Sequence, residues 1–378
     1  MATNKTDKVL NVPTLRFPGF TEEWQEVQFC DVVNLYRGSS PRPIIEFITH
    51  SDEGVNWVKI GDMPTTGRLV TSTSERITLE GSKKSRKVSP GDLILSNSMT
   101  FGQPYVMAIE GYIHDGWFVL RDYEEKMDRD FLCNLLISPI IQKQYYRLAA
   151  GGVVQNISSD LVNQVRFSLP SIAEQLQISH LLNILDERIA LQSKLIDHLK
   201  SLMDGIIDKV TAHTQNISIG DCLDCYSSTL QEGETEEQGK YPVYGANGVC
   251  GYLDYATISA PAILVVKDGS GVGNVLYTNG DCSVVGTLNY LQPKKGVSAK
   301  FLYFVLKRFN FQPYKTGMAI PHIYFKAYSK ARIFCPEYEE QSRTAASLSR
   351  IEDKIALEER LLSLIQEQKQ YLLSAMFI

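Results

Sequence analysis

Two long stretches of the chain repeat apolar residues at alternating intervals of four and three. The first covers residues 178–210 and the second covers residues 344–376. This spacing is typical of a coiled-coil seam. Helices of that length would span roughly 50 Å at about 1.5 Å per residue, more than a single domain of this size needs. The pattern therefore predicts two long helices that pair with each other in antiparallel, rather than each covering only its own domain.

A polar residue interrupts each seam at the same place. Gln192 stands in the first seam, and Glu358 stands 166 residues later in the second. A polar residue in a seam costs stability but can fix the register of the pair. We expect the helices to cross near these two residues. The residues predicted at the pairing are Leu182, Leu185, Ile189, Gln192 and Ile196 in the first helix, and Leu348, Ile351, Ile355, Glu358 and Leu362 in the second.

The first long helix has a clear start signal. Pro170 precedes the sequence Ser171-Ile-Ala-Glu174, a capping box in which the serine oxygen and the glutamate carboxylate satisfy free N–H groups of the first turn. The second helix has Glu337 at the position of the serine, a weaker cap.

The remainder of the chain has the pattern of β-strands. Short alternating or β-branched runs occur at residues 56–60, 93–95, 117–120, 262–266 and 275–277, with Gly, Pro, Asn and Asp between them. Strand-rich regions followed by long helices indicate an α+β fold.

The chain is also an internal duplication. Residues 166–175 (RFSLPSIAEQ) recur as residues 332–341 (RIFCPEYEEQ), and DERIAL at 186–191 recurs as EDKIAL at 352–357. The sequence FCDV at 29–32 is weakly echoed by IGDC at 219–222, so the first half carries about 24 additional residues. We predict an N-terminal segment (1–26), a strand-rich domain (27–170), a central long helix (171–213), a second strand-rich domain (214–336) and a C-terminal long helix (337–378).

Charge is distributed unevenly along the 378 residues. The net charge of −5 argues against a nucleic-acid partner, but much of the acid lies on the two helical segments, and no acidic residue occurs between Asp281 and Glu337. That interval mixes lysines and arginines with Phe and Tyr. The mixture suits either a nucleic-acid face or an aromatic core with solvated lysines, and the sequence favours neither.

The N-terminus lacks an apolar segment behind its lysines, and no apolar run is long enough to span a membrane, so we expect a cytoplasmic protein. The seven cysteines are odd in number and scattered, which suits reduced thiols. The glycine-rich residues 268–274 lack the ending of a phosphate loop and suit a hairpin tip. Cys222 and Cys225 have no second ligand pair, so we expect no metal site. No methyltransferase, Walker or hydrolase motif occurs, and we predict no catalytic residues and no cofactor bound by this chain.

Three features together resemble the specificity subunits of type I restriction-modification systems. They are LRFPGF at 15–20 with Glu23-Trp24, the repeated Pro-x-x-x-Glu-Gln entries to the long helices, and YPVYGANG at 241–248. The resemblance spans essentially the whole chain. It implies two target recognition domains that each read one half of a bipartite double-stranded DNA site, with the helices as a ruler and docking platform. It further implies two methyltransferase subunits that bind S-adenosylmethionine, and restriction subunits that use ATP and Mg.

The residues that contact DNA cannot be transferred from such a family, because its recognition domains vary. We therefore select polar residues beside glycines that could grip phosphates or read base edges. The alternatives to a DNA-reading subunit are a coiled-coil scaffold whose domains do not bind DNA, and an autonomous methyltransferase or nuclease. The candidates are Lys83, Lys84 and Arg86 for phosphates and Asn97, Ser98, Thr100, Gln103, Gln155 and Asn156 for bases in the first domain, and Tyr244, Asn247, Lys267, Ser270, Lys315, Thr316 and His322 in the second.

Overall fold

The computed structural model describes residues 10–97, 102–149, 157–259, 261–317 and 320–378, without the side chains of residues 148 and 149. The chain forms two compact units. Unit 1 comprises Met1–Ser193 and Arg360–Ile378, and unit 2 comprises Lys194–Glu359. Each unit therefore contains one strand-rich domain and parts of both long helices, whereas the sequence suggested separate helical segments.

Unit 1 consists of short strands and helices and the first part of one long helix. Its strands are β1 (Gln25–Gln28), β2 (Asn34–Arg37), β3 (Ile48–Thr49), β4 (Val55–Val58), β5 (Leu69–Val70), β6 (Glu75–Ile77), β7 (Arg86–Val88), β8 (Leu93–Ser96), β9 (Pro104–Met107), β10 (Gly111–Ile113), β11 (Trp117–Arg121) and β12 (Arg166–Leu169). Its helices are α1 (Leu79–Ser82), α2 (Arg129–Ile137), α3 (Pro139–Ala149), α4 (Ser159–Asn163) and the first part of α5 (Ile172–Thr211).

Two five-stranded sheets form the domain of unit 1. Their strand orders are β2-β11-β8-β9-β5 and β3-β6-β4-β10-β7, and a separate ribbon pairs β1 with β12. Strand β8 is buried along its whole length, which explains its unbroken apolar run. The strand predicted over residues 56–60 ends at Val58 in the structure, so the predicted end is wrong. A turn of 3₁₀ helix begins at Ile60, because the Asp62 carboxylate accepts the N–H of Lys59 at 2.8 Å.

Unit 2 also consists of short strands and helices. The strands are β13 (Ile217–Ser218), β14 (Leu223–Ser227), β15 (Tyr241–Gly245), β16 (Gly248–Leu253), β17 (Ala262–Val266), β18 (Val275–Thr278), β19 (Ser283–Val284), β20 (Leu288–Pro293), β21 (Lys315–Thr316), β22 (His322–Ile323) and β23 (Arg332–Ile333). The helices are α6 (Ile219–Cys222), α7 (Ala299–Arg308), α8 (Phe325–Tyr328) and α9 (Tyr338–Ala375), of which α9 continues into unit 1.

The sheet order β14-β20-β17-β18 repeats the order β2-β11-β8-β9 of unit 1. The weak sequence echo at the start of each half also marks equivalent positions. Phe29 donates its N–H to the carbonyl of Val165, and Ile219 donates to that of Ala331, both at 2.9 Å. The predicted duplication and the α+β class are confirmed.

The long helices pack in both of the ways considered. In unit 1, Leu182 and Leu185 of α5 share one hydrophobic core with Phe131 of the domain and with Ile365 and Leu372 of α9. The start of α5 thus lies beside the end of α9, as an antiparallel pair requires. In unit 2, Lys200 of α5 forms an ion pair of 2.7 Å with Glu359 of α9.

Most of the predicted pairing residues are shielded from solvent. Gln192 is half-buried, and Glu358 is buried with Lys354 as its ion-pair partner in unit 2. The predicted contact between Gln192 and Glu358 stays a prediction. The other pairing residues divide into a buried group (Leu182, Leu185, Ile196, Leu348, Ile355) and a half-buried group (Ile189, Ile351, Leu362).

The capping box at the start of α5 is half right. The Ser171 hydroxyl accepts the N–H of Glu174 at 3.4 Å. The Glu174 carboxylate, however, binds the Arg16 guanidinium through two bonds of 2.7 and 2.9 Å, and it also accepts from the Trp24 indole at 3.2 Å. The N-terminal segment is therefore fastened to the helix start, and Trp24 belongs to the core of unit 1.

Candidate nucleic-acid interface

A basic depression of about 400 Å³ lies on the domain of unit 1. Helix α1 begins at the cap of Thr78, whose hydroxyl accepts the N–H of Gly81, and the chain then turns directly into β7. This short connection brings the three predicted phosphate-binding residues to one place. The depression is lined by Ser39, Lys83, Lys84, Ser85, Arg86, Lys87 and Arg121.

Neighbouring groups orient the cations of this basic depression. The Lys84 ammonium lies 4.5 Å from the centre of the Phe47 ring. Arg86 donates from Nε to the carbonyl of Arg37 at 2.6 Å, and its guanidinium lies 5.4 Å from the ring of Tyr36. Lys83 and Lys84 are exposed. Oriented cations at an exposed surface are suited to binding DNA phosphates.

Two further cations of the depression were missed by the sequence analysis. Lys87 is adjacent to the selected residues and could have been included. Its hydrogen bond with Glu110, in an ion pair of 2.8 Å, raises its pKa although burial opposes this. Arg121 comes from the distant strand β11 and pairs with Asp92 at 2.8 Å. No local sequence signal connects Arg121 with the lysines.

In unit 2, five candidates from two separate sequence regions come together. The loop after β17 carries Lys267 and Ser270, and the ribbon β21–β22 carries Lys315, Thr316 and His322. The two segments are joined through their backbones. Ile323 donates to the carbonyl of Lys267 at 2.9 Å, and Gly269 donates to that of Pro321 at 3.0 Å. We call this group the β17–β22 cluster.

His322 is held by two neighbours that the sequence analysis did not select. Its Nδ1 is hydrogen-bonded to the Asp268 carboxylate, and its ring centre lies 4.0 Å from that of Tyr324. An ionised carboxylate only accepts hydrogen bonds, so the tautomer of His322 with the proton on Nδ1 satisfies this bond and leaves Nε2 for another partner. Tyr324 is 60% exposed. The β17–β22 cluster thus offers an oriented imidazole, an exposed aromatic ring and two lysines.

The family of the chain is decided by comparison with known proteins. The model of the type I restriction modification DNA specificity domain matches residues 21–201 and again residues 215–367. The chain belongs to this family.

Individual relatives are similar along nearly the full length of the chain. The specificity subunit of the Type I restriction enzyme EcoprrI of Escherichia coli is 20% identical in an alignment of 362 positions that covers 88% of each protein. The S subunit of a type I restriction-modification system from M. genitalium has a TM-score of 0.66 at 17% identity, covering 97% of this chain and 99% of that one. A chain from a study of assembly and conformational transition of the type I R-M system has a TM-score of 0.56 at 18% identity, with 93% and 96% covered.

The predicted base-reading residues of unit 1 are not exposed where the structure describes them. Asn97 is 4% exposed. Its side-chain amide donates to the carbonyl of Asp115 at 2.9 Å, and its backbone carbonyl accepts the N–H of Ile157 at 2.8 Å. The burial of Asn97 and the bond to Asp115 argue against the prediction that its side chain reads bases. Gln103 is half-buried and exchanges hydrogen bonds with Ser96 through its backbone. Ser98, Thr100, Gln155 and Asn156 lie outside the described residues.

Two candidates of unit 2 lie on the hairpin formed by β15 and β16. Asn247 is exposed at the turn, next to Gly248, whose φ of +115° favours glycine. Tyr244 is half-buried, and its side chain packs against the core that contains Val243. Asn247 is therefore better placed to meet DNA than Tyr244.

The basic and aromatic stretch of unit 2 divides into two parts. Its first part is structural, since Phe301 and Phe304 are buried and Arg308 pairs with Asp208 of α5 at 2.8 Å. Acid on the long helices is thus neutralised by base on α7. Only the later part, with Lys315 and His322, reaches the β17–β22 cluster. The glycine-rich residues 268–274 join β17 to the antiparallel β18, as expected for a hairpin tip.

The remaining sequence features were tested within the described part of the chain. All seven cysteines are free thiols. Among the residues that the structure describes, no group of three or more His, Cys, Asp or Glu side chains could hold a metal ion. Over the same residues, no helix has the length and apolar character needed to cross a lipid bilayer.

Proposed function

We propose that the chain is the sequence-reading subunit of a type I restriction-modification complex, and that each unit reads one half of a bipartite DNA site. The observation that carries this proposal is the duplication itself. Two domains with the same sheet order each present a group of cations and polar side chains, the basic depression in unit 1 and the β17–β22 cluster in unit 2. Different residues in the two groups suit two different half-sites.

Methylation and cleavage belong to partner subunits in this proposal. The chain assembles with two methyltransferase subunits, which bring S-adenosylmethionine, and with restriction subunits, which bring ATP and Mg. The exposed apolar side chains of the long helices support a docking role. Within unit 1, Leu176 and Leu191 of α5 and Leu364 and Tyr371 of α9 are 52%, 66%, 54% and 65% exposed. Such side chains are available for a partner subunit to cover.

The paired helices set the length of the spacer between the half-sites. Within unit 1, Leu182 and Leu185 of α5 and Ile365 of α9 are buried, and within unit 2, Ile196 and Leu348 are buried, so side-chain packing holds the helices inside each unit. A rigid connection between two reading domains would accept one spacer length and reject others.

Salt-dependent DNA binding tests the phosphate contacts of unit 1. The complex with its methyltransferase subunits is titrated with its target duplex and with an unrelated duplex at several salt concentrations. Lys83→Ala and Lys84→Ala should each weaken binding to both duplexes and reduce the salt slope by about 1. Lys143→Ala, an exposed lysine of α3, is the matched control.

The alternative function is a coiled-coil scaffold, which the exposed apolar helix faces would also suit. A scaffold predicts that the wild-type complex binds DNA no better than its partner subunits do without this chain. That result would contradict the proposed function.

A further inference from the structure

The duplication places an acidic residue at the same point of each long helix. Asp186 of α5 begins the repeated sequence DERIAL, and Glu352 of α9 begins EDKIAL, 166 residues later. Neither carboxylate faces open solvent, since the Asp186 and Glu352 side chains are 34% and 27% exposed. Each one binds cations of its own unit, although the donors come from different elements.

Glu352 receives three donors from one neighbouring helix. The Tyr303 hydroxyl donates to it at 2.6 Å, the Lys300 ammonium at 2.9 Å and the Lys307 ammonium at 3.0 Å, and all three side chains belong to α7. Together they join α9 to α7 through directional bonds. Hydrogen bonds to one carboxylate depend on distance and direction, so they add to side-chain packing in fixing the angle and register of the two helices.

The contact continues from α7 into the sheet of unit 2. The Lys300 ammonium lies 4.4 Å from the ring centre of Tyr277 on β18, and also within 5.1 Å of the ring centre of Phe304. Such cation–π contacts are strongest where water is partly excluded. The long helix, α7 and the reading sheet are therefore connected by one half-buried network centred on Glu352.

In unit 1, Asp186 is connected to its domain less directly, through Arg68. It accepts from Arg68 at 3.3 Å and from Lys369 of α9, and Arg68 also donates to Asn134 of α2 at 2.6 Å. Helix α2 is the equivalent of α7, since Phe131-Leu132 matches Phe301-Leu302. The Lys369 side chain is only 11% exposed, although it lies on a helix seam where an apolar residue is usual. A buried lysine needs a partner, which Asp186 supplies.

We infer that Asp186 and Glu352 are positioning residues, each fixing the angle at which a reading domain sits on the long helices of its own unit. This inference rests on the proposed function. If the helices define the spacer, a domain that can tilt on its helix will accept more than one spacer length. Selection of the spacer therefore depends on these two carboxylates as well as on the length of the helices, while recognition of the half-sites does not depend on them.

The test compares spacer selection in complexes that contain either the wild-type chain or one of three variants. Glu352→Gln keeps the size of the side chain but removes its charge. Tyr303→Phe removes one hydrogen bond without changing charge, and Asp353→Asn makes the same charge change at an exposed neighbour. Each complex methylates a pool of duplexes that carry the wild-type half-sites with spacers shortened or lengthened by one base pair.

We expect Glu352→Gln to lower the preference for the native spacer over a spacer one base pair longer by about tenfold, a typical size for loss of coupling within a shared network. Tyr303→Phe should have a smaller effect in the same direction, and Asp353→Asn should have none. Both half-site sequences should stay unchanged. Asp186→Asn should act similarly through unit 1.

A merely structural role would lower the unfolding midpoint of the Glu352→Gln chain but leave its spacer preference intact, and this result would overturn the inference. If Glu352→Gln abolishes methylation, Tyr303→Phe decides by the same measure, because it makes a smaller change. Failure of the proposed function is distinguishable, because the wild-type complex itself would then show no preference for any split site, and the inference would fall with it.

Discussion

The side-chain oxygen of Gln175 accepts the backbone N–H of Asp128 at 2.8 Å, at the start of helix α2. The amide nitrogen of Gln175 donates to the carbonyl of Pro170 at 3.0 Å. In unit 2, Gln341 repeats both bonds, with the N–H of Ser298 at 2.8 Å and with the carbonyl of Pro336 at 2.8 Å. The repeated Pro-x-x-x-Glu-Gln sequence is therefore a clamp that ties the entry of each long helix to the helix of its domain.

Loss of this clamp should destabilise the unit that contains it. Gln341 is 2% exposed, so Gln341→Leu would leave the N–H of Ser298 and the carbonyl of Pro336 without their partner in a shielded site. We expect the free energy of unfolding to fall by about 1–3 kcal/mol. Urea denaturation measures this, with Gln177→Leu at an exposed position of α5 as the control. Equal unfolding midpoints for the Gln341→Leu and control chains would contradict the clamp.

Sequence reasoning found the repeat but could not find what the repeat does. Gln175 and Gln341 occupy matching positions of the sequence repeat, and both bond equivalent backbone groups. Their partners Asp128 and Ser298 lie more than 40 residues away along the chain and differ in residue type. Arg16 and Trp24 belong to the motif LRFPGF with Glu23-Trp24. Their common partner Glu174 instead appeared to be a capping residue, since local patterns cannot show a contact 150 residues away.

The contact between Glu352 and α7 should make the stability of unit 2 depend on pH. Burial alone would raise the pKa of Glu352, but the bonds from Tyr303, Lys300 and Lys307 outweigh it and hold the pKa below its ordinary value of 4.5. The folded chain therefore binds this proton less readily than the unfolded chain. The resulting stabilisation is present above pH 4.5 and is lost as the pH falls through the lower folded pKa.

Urea unfolding from about pH 7 to about pH 3 checks this pH dependence. The wild-type chain should be more stable than Glu352→Gln near neutral pH, and the difference should shrink in acid because glutamine does not titrate. Asp353→Asn is the control, and we expect it to follow the wild type. A difference between wild type and Glu352→Gln that stays constant over the whole range would refute the assigned role of the carboxylate.

His322 should contribute to reading the second half-site alone. The bond to Asp268 orients the imidazole and leaves Nε2 for a base contact, and one good base contact is worth about 1–3 kcal/mol of discrimination. We expect His322→Ala to relax one base position of one half-site and to leave the other half-site unchanged. Methylation mapping in cells detects this, with His198→Ala on α5 as the control. Relaxation in both half-sites would contradict independent reading.

The candidate site was partly predictable for a physical reason. Lys83, Lys84 and Arg86 are close in sequence, so a short turn was enough to bring them together. The β17–β22 cluster forms because the ribbon of β21 and β22 folds onto the loop after β17. No local sequence pattern predicts this contact. The burial of Asn97 was not predictable, because its side chain bonds the backbone of Asp115, 18 residues further along the chain.

Lengthening the helix pair should lengthen the spacer. One heptad inserted after Ala190 and one after Ala356 add about 10.5 Å of helix to each member of the pair. That length corresponds to roughly three base pairs at about 3.4 Å each. The half-site sequences should stay the same, although the duplex turns by about 100° over three base pairs and activity should fall. A heptad in only one helix should be worse tolerated. An unchanged spacer in an active double-insertion variant would rule out the ruler.

The central claim is that the two units read the two halves of one split DNA site. Sequencing of methylated bases in the genome of cells that carry this chain with its methyltransferase subunits tests it most directly. We predict one methylated motif made of two short constant half-sites separated by a gap of fixed length. A continuous motif, or the same methylation pattern in cells that lack this chain, would contradict the account.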